Sequence, residues 1–312
     1  MNAIRLLHPD SDASPANGGE DALRKVRIVT EIRSAVQEVR DLPTLPNIAI
    51  QAMRIASNKN SSAVELEKVI NVDVALTGKI LRTANSAYYG VPRKIDSLRM
   101  ALVVIGMDEI SNLVTTSSIL KMFPSRPGIQ TFDVAQFWFH SAAVAELTTG
   151  LYDVLSLPRP GAAYVSGLLH DLGRLILYQY FNHYHVKIME LIERRRIPTH
   201  QTEIEVIGVD HGHIGGWLIQ RWNLPEEIIN AVSQHHIRPQ DTPQYSLPVM
   251  IDRANSLFYH LMNSQPDETA AFLRDDRDWQ EWIGSRGAPI STIVANLFGR
   301  LDRARSLLDM MR

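Results

Sequence analysis

Residues 167–174 read Gly167-Leu168-Leu169-His170-Asp171-Leu172-Gly173-Arg174, inside a helical stretch that runs from Ala162 to Phe181. Apolar residues flank the His-Asp pair on both sides, which marks a buried helix. A buried aspartate must be hydrogen-bonded, ion-paired or bound to a metal. Adjacent helical residues point about 100° apart, so His170 and Asp171 can both approach one ion only where the helix lies close to it. Two readings stand on these residues alone: a hydrogen-bonded His–Asp pair in the core, and a metal site.

Helical periodicity dominates the rest of the chain and strand signals are scarce. Ile28, Ile32, Ala35, Val36 and Val39 fall on one face of a helix over 23–40, which Leu42-Pro43-Thr44-Leu45-Pro46 breaks. Helices follow over Asn47–Ala56, Ala63–Ile70 (started by Ser61-Ser62), Val74–Ala84 and Leu98–Ile105, with Gly106 interrupting before helix resumes to about Met122. Further helices are expected over Val134–Leu147, His183–Arg194, Thr202–Trp222, Glu226–Ser233, Val249–Met262 and Ile290–Met311. Pro225 and Pro248 suit first helical positions. The fold class is therefore all-α, with two packed helical lobes, the second a helical bundle. The Pro, Ser and Gly residues between Pro124 and Gly128 mark the boundary. This divides the chain into a disordered leader (1–21), an N-terminal lobe (22–125), a second lobe (130–262) and a helical tail (265–312).

The 312 residues carry 45% hydrophobic and 21% charged side chains, as a globular chain does, and a net charge of −2. No sequence-wide basic field favours nucleic acid. Arg194-Arg195-Arg196 is the one dense basic cluster, read as a solvated last helical turn facing the dipole. With no cysteine, any metal must be held by histidine and carboxylate. No apolar run reaches the length of about 18 residues that a membrane span needs, and Met1–Glu20 lacks a signal-peptide core. A cytoplasmic protein is expected. There is no phosphate-cradling Gly-rich loop and no dinucleotide fingerprint. Asn85-Ser86 with Tyr88-Tyr89-Gly90 fits a helix end and turn, or a partner-binding edge.

Histidines recur at helical positions. His140 lies between Trp138 and Ala142-Ala143, His211 and His213 open the stretch ending at Trp222, and His235-His236 end the helix that Pro225 starts. Imidazole and carboxylate are the usual ligands of Fe, Mn and Zn, so this supply favours a metal site. Capping of a helix C-terminus is the other reading of His235 or His236.

His140 followed by His170-Asp171 resembles the signature of the HD superfamily of metal phosphohydrolases. Four stretches narrow the resemblance to the HDOD family: Leu42-Pro43-Thr44-Leu45-Pro46, Val72 to Thr77 with Ile80 to Gly90, Ile95 to Leu98 with Ile105-Gly106, and Asp210-His211 with Gly215 to Leu218, Arg221 to Pro225 and His235-His236. The match covers roughly 37 to 262. The resemblance implies metal-type positions at His140, His170, Asp171, His211, His235 and His236. The distant aspartate of the signature falls on Asn255, a neutral and weaker ligand, with Asp252 on a neighbouring part of the same face as the other weak candidate. The related HD-GYP proteins, which hydrolyse cyclic di-GMP, follow their paired histidines with a Gly-Tyr-Pro loop and tend to carry Lys where this chain has Arg174. Here Ile237-Arg238-Pro239-Gln240-Asp241 follows instead. The family implies a bacterial signalling module that acts through signalling proteins or a second-messenger ligand, with weak or no hydrolysis. Its alternative is a metal-dependent phosphohydrolase acting on a nucleotide or cyclic dinucleotide, with Asp171 and Arg174 as catalytic candidates. Ligand type favours Fe or Mn, then Zn.

Overall fold

Several helices begin where a short polar side chain can take up free amide groups of the first turn. Ser62 accepts from Glu65 N, Asp73 from Leu76 N, Ser97 from Met100 N and Asp133 from Ala135 N and Gln136 N. The computed structural model describes residues 18–38, 42–58, 60–86, 89–124, 132–236, 243–284 and 288–311. Among them every regular element is a helix: α1 (Gly18–Glu38), α2 (Asn47–Ser57), α3 (Ala63–Ile70), α4 (Val74–Ala84), α5 (Leu98–Val104), α6 (Met107–Met122), α7 (Val134–Val154), α8 (Ala163–Leu169) and α9 (Leu172–Tyr180), then α10 (Asn182–Arg195), α11 (Thr199–Ile207), α12 (His211–Arg221), α13 (Glu226–Ser233), α14 (Leu247–Leu261), α15 (Pro266–Asp275), α16 (Arg277–Ile283) and α17 (Ile290–Met311). The expected leader lies outside the described residues up to residue 17, and from Gly18 the chain is helical. The boundary segment from residue 125 and the residues 237–241 that follow the paired histidines also lie outside them.

Helix α7 is the axis of the molecule. It is buried along nearly its whole length, and α8, α14 and α17 pack around it. Small side chains make that enclosure possible: Ala142, Ala143 and Ala145 are fully buried, and a Cβ on Gly167 of α8 would come within 2.7 Å of the Ala145 backbone. Periodicity suggests an end near Leu147, yet α7 continues to Val154. Its Thr148 and Thr149 hydroxyls donate to Val144 O at 2.7 Å and Glu146 O at 2.8 Å, so these polar residues stay in the helix without a buried deficit. Arg300 of α17 donates to Glu146 Oε2 at 3.0 Å and Thr149 Oγ1 at 3.2 Å, tying the C-terminal helix to the axis. Helices α2 and α6 pack together, α12 packs between α9 and α13, and α1 lies against α11 and α12.

Two stretches that read as single helices are divided. Ala162–Phe181 breaks at His170-Asp171, between α8 and α9. Thr202–Trp222 breaks at Gly208, Val209 and Asp210, where Gly208 takes φ +85° and Asp210 caps α12 by accepting from His213 N at 2.9 Å. Of the three arginines at 194–196, Arg195 pairs with Glu205 at 2.6 Å, and Arg196 ends α10 in the left-handed region. No helix among the described residues is long and apolar enough to cross a membrane.

The α7–α8 contact gives a direct test. Gly167→Ala gains up to about 1 kcal/mol of helix propensity but forces two backbones apart, so a net loss of about 1–3 kcal/mol is expected. Urea unfolding of wild type and variant measures it.

Candidate metal centre

Four separate pieces of chain deliver the site. His140 sits on α7, His170 and Asp171 form the joint between α8 and α9, His211 opens α12, and His235 and His236 lie in the turn after α13. Asp171 occupies the N-cap position of α9, but its side chain makes no cap hydrogen bond, because it turns into the cluster instead. Gly173, one turn-start later, is what lets α9 approach α12: a Cβ there would collide with the His211 carbonyl oxygen and lie 2.9 Å from Gly215 N. That contact brings Asp171 onto His211.

The five imidazoles surround the Asp171 carboxylate. Oδ1 lies 2.9 Å from His211 Nε2, 3.5 Å from His170 Nε2 and 3.8 Å from His235 Nε2. Oδ2 lies 2.7 Å from Arg174 Nη1 and 3.3 Å from His140 Nε2. The Nε2 atoms of His140 and His170 are 3.2 Å apart, and those of His211 and His236 are 2.7 Å apart. The donor atoms form two groups, each within 4.8 Å: Asp171, His211, His235 and His236, and His140, His170 and Asp171. Asp171 belongs to both.

Partners outside the cluster set the imidazole tautomers. His170 Nδ1 donates to Gly167 O at 2.8 Å and His235 Nδ1 donates to Val232 O at 2.7 Å. A carbonyl only accepts, so in a neutral ring the proton is on Nδ1 and Nε2 presents a lone pair. His211 Nδ1 donates to Glu203 Oε2 at 2.6 Å, and the same oxygen accepts from His211 N at 2.8 Å. Lone pairs of three neutral rings would thus face a carboxylate, an arrangement that needs a cation between them, a proton or a metal ion. Burial pushes His170 and His236 well down and His235 down to about 4, with neighbouring rings adding to the shift for His235 and His236. Burial also opposes charge on His211, but Glu203 and Asp171 outweigh it and raise this ring to about 10. Burial works against an Asp171 carboxylate too, but the cationic Arg174 and His211 hold it ionised, well below the usual range. A donor set of ring nitrogens around one carboxylate, most of them held from behind, fits a divalent ion. His235 Nε2 is buried with no hydrogen-bond partner among the described residues, which an ion would supply.

Asp252 belongs to neither donor group. Asn255 Oδ1 is buried with no hydrogen-bond partner among the described residues, on the α14 segment whose Phe258 and Tyr259 pack against the His140 ring at 4.6 and 5.5 Å. His213, also noted in the sequence, turns away to Asp210 at 2.7 Å. Glu203 is the His211 partner that sequence reasoning misses: within an uninterrupted helix it reads as a surface charge, and only Gly208 and Asp210 signal the break that folds α11 back onto His211. His200 stacks on His236 at 4.3 Å and is missed likewise. Beside the cluster a cavity of about 260 Å³ is lined by Phe132, Phe137, His140, Arg174, Phe258 and Tyr259, among others.

Residues 42–238 match the family model of the HDOD domain. The chain belongs to the HDOD family. Its fold is similar to that of an HDOD domain protein of Geobacter sulfurreducens, with 24% identity, TM-score 0.74, and coverage of 93% of this chain and 99% of that one. It is also similar to a Shewanella amazonensis protein described as a candidate phosphohydrolase, with 22% identity, TM-score 0.70, and coverage of 88% and 97%. In sequence, this HDOD chain is 27% identical over 213 residues to an uncharacterized protein of Treponema pallidum (strain Nichols), a match spanning 68% of this chain and 41% of that protein.

In metal-free protein the His211 ring should stay protonated at pH 8, seen by imidazole nitrogen NMR, because its folded value is raised to about 10. The linked stability is fully present below the unfolded value near 6.5 and is lost as pH rises through about 10. Urea midpoints should fall over that window in wild type, and Glu203→Gln should flatten the fall.

Proposed function

We propose that this HDOD chain is a bacterial regulatory module, built around a divalent-ion centre, that acts through a signalling protein or a second-messenger ligand in the cytoplasm. The observation that carries the reading is the charge of the donor set: five imidazoles converge, but Asp171 is the one carboxylate in either donor group, and Asn255 takes the position that the family fills with a second. His140, His170, Asp171, His211, His235 and His236 are the ligand candidates, with Fe or Mn preferred and Zn next. Two-ion hydrolysis needs both the attacking and the leaving oxygen clamped. A centre with one anionic ligand holds a second ion poorly, so hydrolysis is weak or absent.

The alternative, a metal-dependent phosphohydrolase acting on a nucleotide or cyclic dinucleotide, is favoured by one feature: the cavity beside the cluster has Arg174 and His140 in its wall. The description of the Shewanella protein points the same way. In that reading Asp171 and Arg174 are the catalytic candidates.

One measurement tests the ion that both readings share, and a second decides between them. Protein purified without added metal should contain Fe, Mn or Zn by elemental analysis. A panel of phosphodiesters, cyclic di-GMP included, should turn over more slowly than about 1 per second with Mn or Fe. Turnover at or above that rate, abolished by His170→Ala, would establish the hydrolase. Glu203→Ala should weaken the ion by about 10–100-fold, as loss of an outer-shell acceptor does, read by calorimetric titration.

A further inference from the structure

The two donor groups that meet at Asp171 are not equivalent. The first has four donor residues, Asp171, His211, His235 and His236; the second has three, His140, His170 and Asp171. In the first, His211 and His235 are each held through Nδ1 by Glu203 and Val232 O. In the second, Gly167 O holds His170 in the same way, but His140 Nδ1 is buried with no hydrogen-bond partner among the described residues, so no hydrogen bond from behind fixes that ring as a ligand. The carboxylate oxygen nearest His140 is engaged by Arg174 Nη1 at 2.7 Å, so a cation bound there would share that oxygen with a guanidinium. By the family resemblance the remaining position of this group falls on Asn255, a neutral amide. The same side faces open space: His140 and Arg174 line the cavity of about 260 Å³, while His211, His235 and His236 do not.

We propose that the centre divides into two unlike halves, with one divalent ion held by Asp171, His211, His235 and His236, and with Arg174 and His140 forming a receiving site for the phosphate group of a small ligand that enters the cavity. This rests on the metal reading above and specifies which residues hold the ion. A guanidinium presents a planar fork of N–H donors that matches phosphate oxygens and keeps its charge at any working pH. Arg174 Nη1 is anchored on Asp171 and the guanidinium also hydrogen-bonds Tyr259 of the cavity wall; its five N–H groups outnumber these contacts, so donors remain for a ligand. Phe132, Phe137 and Phe258 form the apolar part of the cavity wall beside this pair.

The full chain, stripped and reloaded with Mn²⁺, should hold one ion per chain by elemental analysis. His235→Ala should lose it. His140→Ala, or His140→Gln should the alanine variant melt early by circular dichroism, should keep it. Calorimetry with inorganic phosphate on the loaded protein should show binding that Arg174→Gln weakens tenfold or more with the ion retained, and that Arg174→Lys largely restores. Two ions per wild-type chain, loss of the ion from folded His140 variants, or phosphate binding indifferent to Arg174→Gln would each overturn the division. An ion count of zero in wild type would instead remove the metal reading beneath it.

Discussion

Asp171 is a carboxylate almost wholly enclosed by protein, with imidazole nitrogens of His140, His170, His211 and His235 within 3.8 Å and one guanidinium in contact. Such a group cannot shed its charge into solvent, and hydrogen bonds from neutral rings are ruled out wherever the ring proton is committed elsewhere. His170 and His235 have committed theirs to backbone carbonyls. Positive charge must therefore come from the cluster itself, as a protonated His211 between Asp171 and Glu203, as Arg174, or as a bound ion. The surrounding helices are arranged around that requirement: they contribute rings, the acceptors that fix them or, in α9, the Arg174 guanidinium.

The fold meets this demand by bringing backbones unusually close. Gly173 against the His211 carbonyl and Gly167 against Ala145 are points where no side chain could be added without separating the helices that carry the ligands. The break in the chain at His170-Asp171 serves the same end. A continuous helix would send the two side chains about 100° apart; the joint lets both approach the rings delivered by α7 and α12.

Much of this arrangement is legible in the amino-acid sequence. Apolar spacing locates most of the helices, Gly106 marks the gap ahead of α6, and the pattern over Ile290–Met311 has the bounds of α17. The residues around Asp171 are recognisable because histidine at repeated helical positions is uncommon without a polar purpose. The joints are not legible. Leucines run through 168–177 with helical spacing on both sides of the break, so periodicity carries no trace of it. Glu203 is hidden for a related reason: its partner is eight residues away, across a turn set by Gly208, and a glutamate in a helix has the same pattern whether it meets water or an imidazole. Arg174 is visible as a residue, but its grip on Asp171 depends on the N-terminal turn of α9.

Helix α12 starts at His211 and ends by holding the N-terminal part of the chain. Arg221 donates to Val36 O at 2.9 Å, Trp222 Nε1 donates to Pro43 O at 2.9 Å, and Arg33 lies over the Trp217 ring at 5.7 Å. A helix of this length, 11 residues, spans about 16 Å and bends little. The rod is tied to Arg33, Val36 and Pro43 toward one end and carries at the other the ring that faces Asp171. The anchorage of the N-terminal residues and the ring that faces Asp171 thus share one straight helix, with no loop between them.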